Sequence, residues 1–139
     1  MAEHLSEEAI QQFLDTSPFI SFLGLKVTSM DAEKGEIAIR MPMRPEFERR
    51  RGSGQVHGGA IAALIDIAGD YALVMTLGGG VPTINFRTDY LRPAGGAHLT
   101  ATAGVRQAGR SIAVVDIDVH DENGKLIAVG RGTYSTRVG

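Results

Sequence analysis

Residues 54–80 read GQVHGGAIAALIDIAGDYALVMTLGGG, and this stretch decides the fold. Its middle is apolar on nearly every helical face and three glycines follow it, so the pattern predicts a helix from about Gly58 to Leu77. The apolar run from Ala60 to Leu77 approaches membrane-spanning length, but Asp66 and Asp70 inside it would be costly in hydrocarbon. We therefore expect this helix to be buried inside the protein.

Segments with a strand-like period lie on both sides of this helix. Before it, apolar and polar residues alternate from Leu25 to Met43 around a turn at residues 31–35, which predicts a β-hairpin. After it, turn-forming residues separate four more strand-like segments, Pro82–Leu91, His98–Arg106, Ser111–His120 and Lys125–Arg137. This order predicts an α+β domain in which an antiparallel sheet curls around a central helix.

The N-terminal part of the chain carries a second helical pattern. Ser6–Thr16 has apolar residues at helical spacing, a capping serine at its start and Pro18 after its end, so we expect a short amphipathic helix on the surface of the main fold. Residues 44–54 are polar, basic and flanked by glycine, which predicts a loop leading into the long helix. We expect residues 1–139 to form one domain, with 1–20 as an N-terminal helical extension.

Composition limits the classes of function. The chain has 139 residues, of which 43% are hydrophobic and 22% charged, and this suits one compact globular domain. A net charge of -2 lacks the positive field of nucleic-acid binders. The absence of cysteine rules out disulfides and a thiol nucleophile, and the acidic N-terminal residues do not resemble an export signal. We expect a cytoplasmic protein without nucleic-acid or membrane partners.

The two carboxylates of the long helix need an explanation. An unpaired buried carboxylate is strongly destabilising, so each must be paired, reach the surface or serve a function. For Asp70 we expect an exposed or structurally paired group. Asp66 follows a glycine-rich helix entry, His57-Gly58-Gly59, whose free N–H groups form a potential oxyanion site. These residues alone are equally consistent with a tight turn capped by His57.

A family resemblance now becomes visible. The string Gly54–Asp66 resembles the G-x-x-H-G-G-x-x-x-x-L-x-D signature of the hotdog-fold acyl-CoA thioesterases, specifically the PaaI-like (phenylacetyl-CoA thioesterase) group. Thr83–Phe86 with Tyr90–Pro93 resembles the family's strand after the helix, and Gly109-Arg110 with Asn123–Ala128 resembles its final hairpin. The resemblance implies a hotdog fold and a thioester hydrolase that acts on acyl-CoA without a cofactor.

The resemblance also implies roles for individual residues. Asp66 would activate water or attack the thioester directly, and the backbone N–H of Gly58 would polarise the thioester carbonyl. The hydroxyl of Thr83 would help to position the water, and His57 would orient the loop and the substrate. No metal is expected, because the histidines show no metal-ligand spacing.

The spacing of two of these residues predicts an oligomer. Gly58 and Asp66 are eight residues apart, so they lie about 12 Å apart along one helix axis. One reacting carbonyl must lie within about 3 Å of both groups, which requires that they come from different chains. We therefore expect at least a homodimer with two symmetric sites and antiparallel contact between central helices, and further association of two dimers into a tetramer.

One position departs from the family pattern. Six residues before the histidine, where many relatives carry Asn or Gln, this chain has Arg51. Arg51 could donate to the carbonyl oxygen, or it could pair with Asp66 and make it a poorer base. Because acyl-CoA carries phosphates, a basic rim is also expected. The predicted substrate-binding residues are Gly59, Arg51, Arg49, Arg50, Arg110 and Asn85, with Arg44, Arg87 and Arg92 as further basic candidates.

Three classes of function follow from this reasoning. The first is an acyl-CoA thioesterase that hydrolyses an aromatic or a short- or medium-chain acyl-CoA to the free acid and CoA. The second is another hotdog enzyme, a hydratase or dehydratase, which would resemble a different Asp/His pattern. The third is a non-catalytic acyl-CoA-binding or regulatory protein, which Arg51 keeps open.

Overall fold

The computed structural model describes residues 4–138. These form three helices and one six-stranded antiparallel sheet, in the order α1 (Glu7–Thr16), α2 (Pro18–Leu23), β1 (Lys26–Asp31), β2 (Glu36–Pro42), α3 (Gly58–Leu77), β3 (Thr83–Tyr90), β4 (His98–Ala108), β5 (Ile112–Asp121) and β6 (Leu126–Ser135). In space the strands follow the order β1-β2-β4-β5-β6-β3. The predicted α+β architecture, an antiparallel sheet with one long central helix, is confirmed.

The long helix α3 lies against the concave face of the sheet. Half of its 20 residues are buried, including Leu64 and Ile65, and it contacts strands β2 to β6. Its mean hydropathy of 1.7 and its length would suit a membrane span. A helix that packs against a sheet inside a protein is equally apolar and long, and this helix packs in that way. Gly78 ends the helix in the left-handed conformation (φ 82°), and its N–H donates to the carbonyl of Val74.

The N-terminal segment differs from the prediction in one respect. Ser6 caps α1 by accepting the N–H of Ala9, as expected. However, Pro18 does not simply end a helix, because it starts α2, where the first turn tolerates its missing N–H. α1 also packs firmly against the domain, since Ile10 and Leu14 are 0% and 1% exposed.

The predicted loop over residues 44–54 is more ordered than its polar composition suggests. It contains one 3-10 turn, Pro45–Phe47, and Phe47 is only 4% exposed. The Phe47 ring packs edge-on against Phe22 of α2, with the ring centroids 5.9 Å apart. Its carbonyl accepts the N–H of His57 at 2.6 Å. The loop therefore fixes the point at which α3 begins.

The two edges of the sheet differ in how far their backbone groups are covered. At the β1 edge, the Gln11 amide of α1 donates to the carbonyl of Leu25 and accepts the N–H of Val27. This side chain satisfies backbone groups that would otherwise be open to another strand. β3, at the opposite edge, pairs with β6 only, and Ile84 and Phe86 on it are 55% and 38% exposed.

Candidate active site

His57 organises the first turn of α3. Its Nδ1 accepts the N–H of Gly59 at 2.8 Å, which makes it the N-cap of the helix. The amide of Gly59 is therefore occupied, whereas the amide of Gly58 has no acceptor within residues 4–138. Of the two glycine amides, that of Gly58 is the one available to a ligand at the positive end of α3.

Tyr90, at the end of β3, holds the same helix turn from the other side. Its hydroxyl donates to the carbonyl of Gly58 at 2.7 Å. A Cβ at residue 58 would lie 3.2 Å from the Tyr90 ring, so glycine leaves room for this contact. Tyr90 is not among the residues predicted for the site, since its partner is 32 residues away in the chain.

Asp66 is half-buried two turns further along α3. The hydroxyl of Thr83 donates to its Oδ1 at 2.8 Å, so the structure brings together these two residues, to which the resemblance gives separate roles. Thr83 sits at a β-bulge of β3, between Thr83 and Asn85, where the regular alternation of side chains is interrupted. The other carboxylate oxygen of Asp66 accepts no hydrogen bond from the described residues.

A buried tyrosine fixes the backbone beneath Asp66. The hydroxyl of Tyr134, which is 0% exposed, donates to the Asp66 carbonyl at 3.0 Å. A Cβ at Gly69 or at Gly132 would overlap the Tyr134 ring or its hydroxyl, so both glycines create the space for this side chain. Tyr134 is a further supporting residue that sequence reasoning missed.

Asp70 lies one turn beyond Asp66 and is half-buried. Burial raises the pKa of the Asp70 carboxyl from 3.8 to about 7, the nearby backbone N–H of Val81 opposes the rise, and the Asp66 charge adds to it. Asp70 is only partly exposed, and the hydrogen bonds and ion pairs of residues 4–138 do not include a structural partner for its carboxylate.

The two halves of the predicted site are far apart within one protomer. Gly58 is bonded to Tyr90 at the end of β3, and Asp66 is bonded to Thr83 at its start. Along α3 itself, Gly58 and Asp66 are eight residues and therefore about 12 Å apart. No single carbonyl can contact both groups of one chain.

A cavity of about 420 Å³ opens beside Gly58. Its wall combines apolar groups with Tyr90 and two basic side chains, Arg49 and Arg92. Arg49 also donates to the side chain of Gln55 at 2.6 Å, which holds its guanidinium at the rim. Arg49, a predicted substrate-binding residue, and Arg92, a further basic candidate, both lie at this cavity.

The other predicted substrate-binding residues lie elsewhere. Arg50 and Arg51 are exposed in a turn outside the cavity wall, and Arg51 forms no ion pair with Asp66 within residues 4–138. Arg110 occupies the turn between β4 and β5, where its carbonyl accepts the hydroxyl of Thr136. Asn85 pairs with Thr133 on the face of the sheet turned away from α3, so the structure does not bring it to Asp66.

Gly59 faces a second, smaller cavity on the other side of the helix start. This cavity of about 240 Å³ is mostly apolar and is lined in part by Phe19 and Phe22 of α2 and by Ala63 of α3. Within the described chain, no cluster of three or more His, Asp or Glu side chains has an arrangement suited to a metal ion.

Comparison with known proteins identifies the family. Residues 53–128 match the thioesterase superfamily. A Halobacterium salinarum protein named as a candidate esterase is 38% identical over 136 residues, covering 90% of this chain and 88% of its own. The medium/long-chain acyl-CoA thioesterase YigI of Escherichia coli K12 is 29% identical over 139 residues, covering 89% of this chain and 88% of its own.

A solved structure agrees with these relatives. The Escherichia coli PaaI protein from the phenylacetic acid degradation operon superposes with a TM-score of 0.80 at 29% identity, covering 93% of this chain and 90% of its own. The similarity to this family, first visible in the string from Gly54 to Asp66, therefore extends over nearly the whole chain. The chain belongs to the thioesterase superfamily, and it is a thioester hydrolase of the PaaI-like hotdog type.

Proposed function

We propose that the protein hydrolyses acyl-CoA thioesters, with Asp66 as the general base or nucleophile and the Gly58 amide of a neighbouring subunit as the oxyanion donor. The observation that carries this proposal is the hydrogen bond of 2.8 Å from the Thr83 hydroxyl to one oxygen of Asp66. It orients the carboxylate and leaves the second oxygen for a water or a thioester carbon.

The open edge of β3 supports a two-subunit site. Two copies of β3 that pair antiparallel about a twofold axis near Phe86 and Arg87 would place Thr83 of one copy beside Tyr90 of the other. Because Thr83 holds Asp66 and Tyr90 holds Gly58, each pair of ends would unite the Asp66 of one subunit with the Gly58 amide of the other. Pairing would also cover the exposed Ile84 and Phe86. We propose this homodimer as the active unit and a dimer of dimers as its higher assembly.

The proposed reaction balances without a cofactor. In the general-base form, Asp66 removes a proton from water, the water oxygen bonds to the thioester carbon, and the Gly58 N–H stabilises the negative carbonyl oxygen. The carbon–sulfur bond then breaks, and the CoA thiolate takes up a proton. In the nucleophilic form, a carboxylate oxygen of Asp66 bonds to the same carbon, CoA leaves, and water hydrolyses the resulting anhydride.

The acyl group is the least constrained part of the proposal. We expect an aromatic or a short- or medium-chain acyl group, and the relative YigI is named for medium and long chains. The mostly apolar wall of the cavity beside Gly58 accommodates either class. A cytoplasmic location, where acyl-CoA is formed and used, is part of the same proposal.

A panel of acyl-CoAs tests this function directly. Phenylacetyl-, benzoyl-, hexanoyl-, decanoyl- and palmitoyl-CoA are incubated with the protein, and the released thiol is measured. We expect turnover of at least one of the aromatic or short- to medium-chain substrates. Binding of acyl-CoA without thiol release would replace the proposal with the non-catalytic acyl-CoA-binding alternative. Crotonyl-CoA is tested separately, and its hydration without thiol release would replace the proposal with the hydratase alternative.

Arg92→Gln is expected to raise KM for acyl-CoA about three- to tenfold with little change in kcat. Arg92 lines the cavity beside Gly58, and its charge would contact a CoA phosphate rather than the reacting bond. The matched measurement uses the N-acetylcysteamine thioester of the same acyl group, which lacks the nucleotide and should show no change. Arg106→Gln, an exposed residue that pairs with Asp116, serves as the control. An equal rise in KM for the acyl-CoA and for the N-acetylcysteamine thioester would contradict a contact between Arg92 and a CoA phosphate.

A further inference from the structure

Two cavities adjoin the amide that is proposed to hold the thioester carbonyl. Gly58 lines the larger cavity, of about 420 Å³. Its two neighbours in the chain, His57 and Gly59, line the smaller cavity, of about 240 Å³. The Gly58 N–H therefore lies at the boundary between the two. A carbonyl carbon bound there carries the CoA sulfur on one side and the acyl chain on the other, so each cavity is placed to receive one of these two groups.

The charges of the two cavities indicate which group each one receives. The larger cavity has room for an acyl group, but its wall carries the guanidinium groups of Arg49 and Arg92, which suit the phosphates of CoA. Among the described residues that line the smaller cavity there is no arginine or lysine, and its Glu46 offers a phosphate no attraction. The nucleotide of CoA therefore fits the larger cavity, which leaves the smaller one for the acyl chain.

The smaller cavity, which we call the α2–α3 cavity, has a wall suited to an apolar chain. Phe19 and Phe22 of α2 line it and are 59% and 46% exposed, so an acyl chain would remove part of both rings from water. On the α3 side it is lined by Ala63, one turn before Asp66 and on the same face of the helix. In the proposed dimer this face borders the cleft between the subunits, and the cavity opens towards the reacting carbonyl.

Arg44 holds the α2 wall of this cavity in place. Its guanidinium carbon lies 4.4 Å from the centroid of the Phe22 ring and 5.7 Å from that of Phe47. The same guanidinium donates to the carbonyl of Phe22 and pairs with Glu46 at 3.7 Å. Arg44, a basic candidate for CoA, is thus engaged with α2, and its charge balances that of Glu46. The cavity is therefore formed before a substrate binds.

We propose that the α2–α3 cavity binds the acyl group of the substrate and sets its length. This inference rests on the proposed thioesterase function and deepens it by naming the acyl class. An apolar cavity of about 150 Å³ holds benzene, with its six carbon atoms. At that packing, 240 Å³ holds about ten carbon atoms. The preferred substrates are therefore CoA thioesters of apolar acyl groups with about eight to ten carbon atoms.

Filling the cavity tests this proposal through the dependence of activity on chain length. Ala63→Leu adds three carbon atoms to the wall, so the preferred substrate should shift from decanoyl-CoA towards hexanoyl-CoA. We expect kcat/KM to fall about tenfold for decanoyl-CoA and to stay within about twofold of wild type for butyryl-CoA. Ala108→Leu makes the same change at an exposed residue of β4 and should keep the wild-type dependence on chain length.

A binding measurement tests the cavity without relying on hydrolysis. S-decyl-CoA and S-ethyl-CoA are thioethers, which lack the carbonyl and cannot be hydrolysed, and isothermal titration calorimetry gives their affinities. Phe19→Gln replaces an exposed ring of the wall by a polar amide. It should weaken the binding of S-decyl-CoA about three- to tenfold and leave that of S-ethyl-CoA within about twofold of wild type.

The outcomes separate the acyl site from the proposed function. A protein that binds S-decyl-CoA with the expected dependence on Phe19 but hydrolyses no acyl-CoA would remove the function and keep the acyl site. An active protein in which Ala63→Leu changes kcat/KM by the same factor for butyryl- and decanoyl-CoA would overturn the acyl site. So would a Phe19→Gln protein that binds S-decyl-CoA as wild type does but forms a smaller oligomer, since Phe19 would then contact a second copy of the chain.

Discussion

Asp66→Asn is expected to lower kcat for acyl-CoA hydrolysis about 1000-fold, whether Asp66 acts as base or as nucleophile. The amide keeps an oxygen that can accept the Thr83 hydroxyl, so the side chain should stay in place while its capacity to take a proton or attack a carbon is lost. KM should change little, because the substitution affects the transition state rather than the bound ground state.

Two controls make this result specific to the reaction. Asp118→Asn makes the same chemical change on an exposed strand position and should leave kcat within about twofold of wild type. Circular dichroism and the thermal midpoint of Asp66→Asn should match wild type, which separates lost chemistry from lost structure. A folded Asp66→Asn protein with more than about a tenth of wild-type kcat would show that another group carries the reaction.

Gly58→Pro is expected to lower kcat by about 100- to 1000-fold, since it deletes the N–H proposed to stabilise the oxyanion. The backbone suits this substitution. Gly58 is the first residue of α3, where proline is favoured, and His57 already has the extended conformation (φ -62°, ψ 138°) that a following proline requires. The deleted N–H has no acceptor within residues 4–138, so no hydrogen bond of the described structure is lost.

The matched control is Gly58→Ala. It adds the same Cβ, about 3.2 Å from the Tyr90 ring, but keeps the N–H. A loss of kcat that Gly58→Ala and Gly58→Pro share reports crowding of Tyr90. Any further loss of kcat in Gly58→Pro reports the missing N–H donor. If the two variants lose equal activity, the Gly58 amide does not contribute to oxyanion stabilisation.

Patterns within one segment predicted most of the fold. The helix Gly58–Leu77 was located to the residue, because its ends are marked by glycines and its interior is apolar all round. The alternating segments gave the strands within a few residues of their bounds, for example Thr83–Tyr90 against the predicted Pro82–Leu91. α1 does end before Pro18, as predicted, but the pattern does not reveal α2, because proline is equally suited to follow one helix and to begin another.

The supporting residues of the site could not be predicted in the same way. Tyr134 and Asp66 are 68 residues apart, and only the curl of the sheet brings them together. The environment of Asp70 likewise depends on the return of the chain at Val81, which no local pattern reveals. Asn85 was placed at the site by family analogy, but its pairing with Thr133 puts it on the other face of the sheet.

The central claim is that each site takes Asp66 from one subunit and the Gly58 amide from the other. Its most direct test is a heterodimer of Asp66→Asn and Gly58→Pro chains, co-expressed with two different affinity tags and purified over both. One of its two sites then has both wild-type groups and the other has neither, so kcat per dimer should recover to about half of wild type. A heterodimer no more active than the mean of its two parent variants would contradict the shared site.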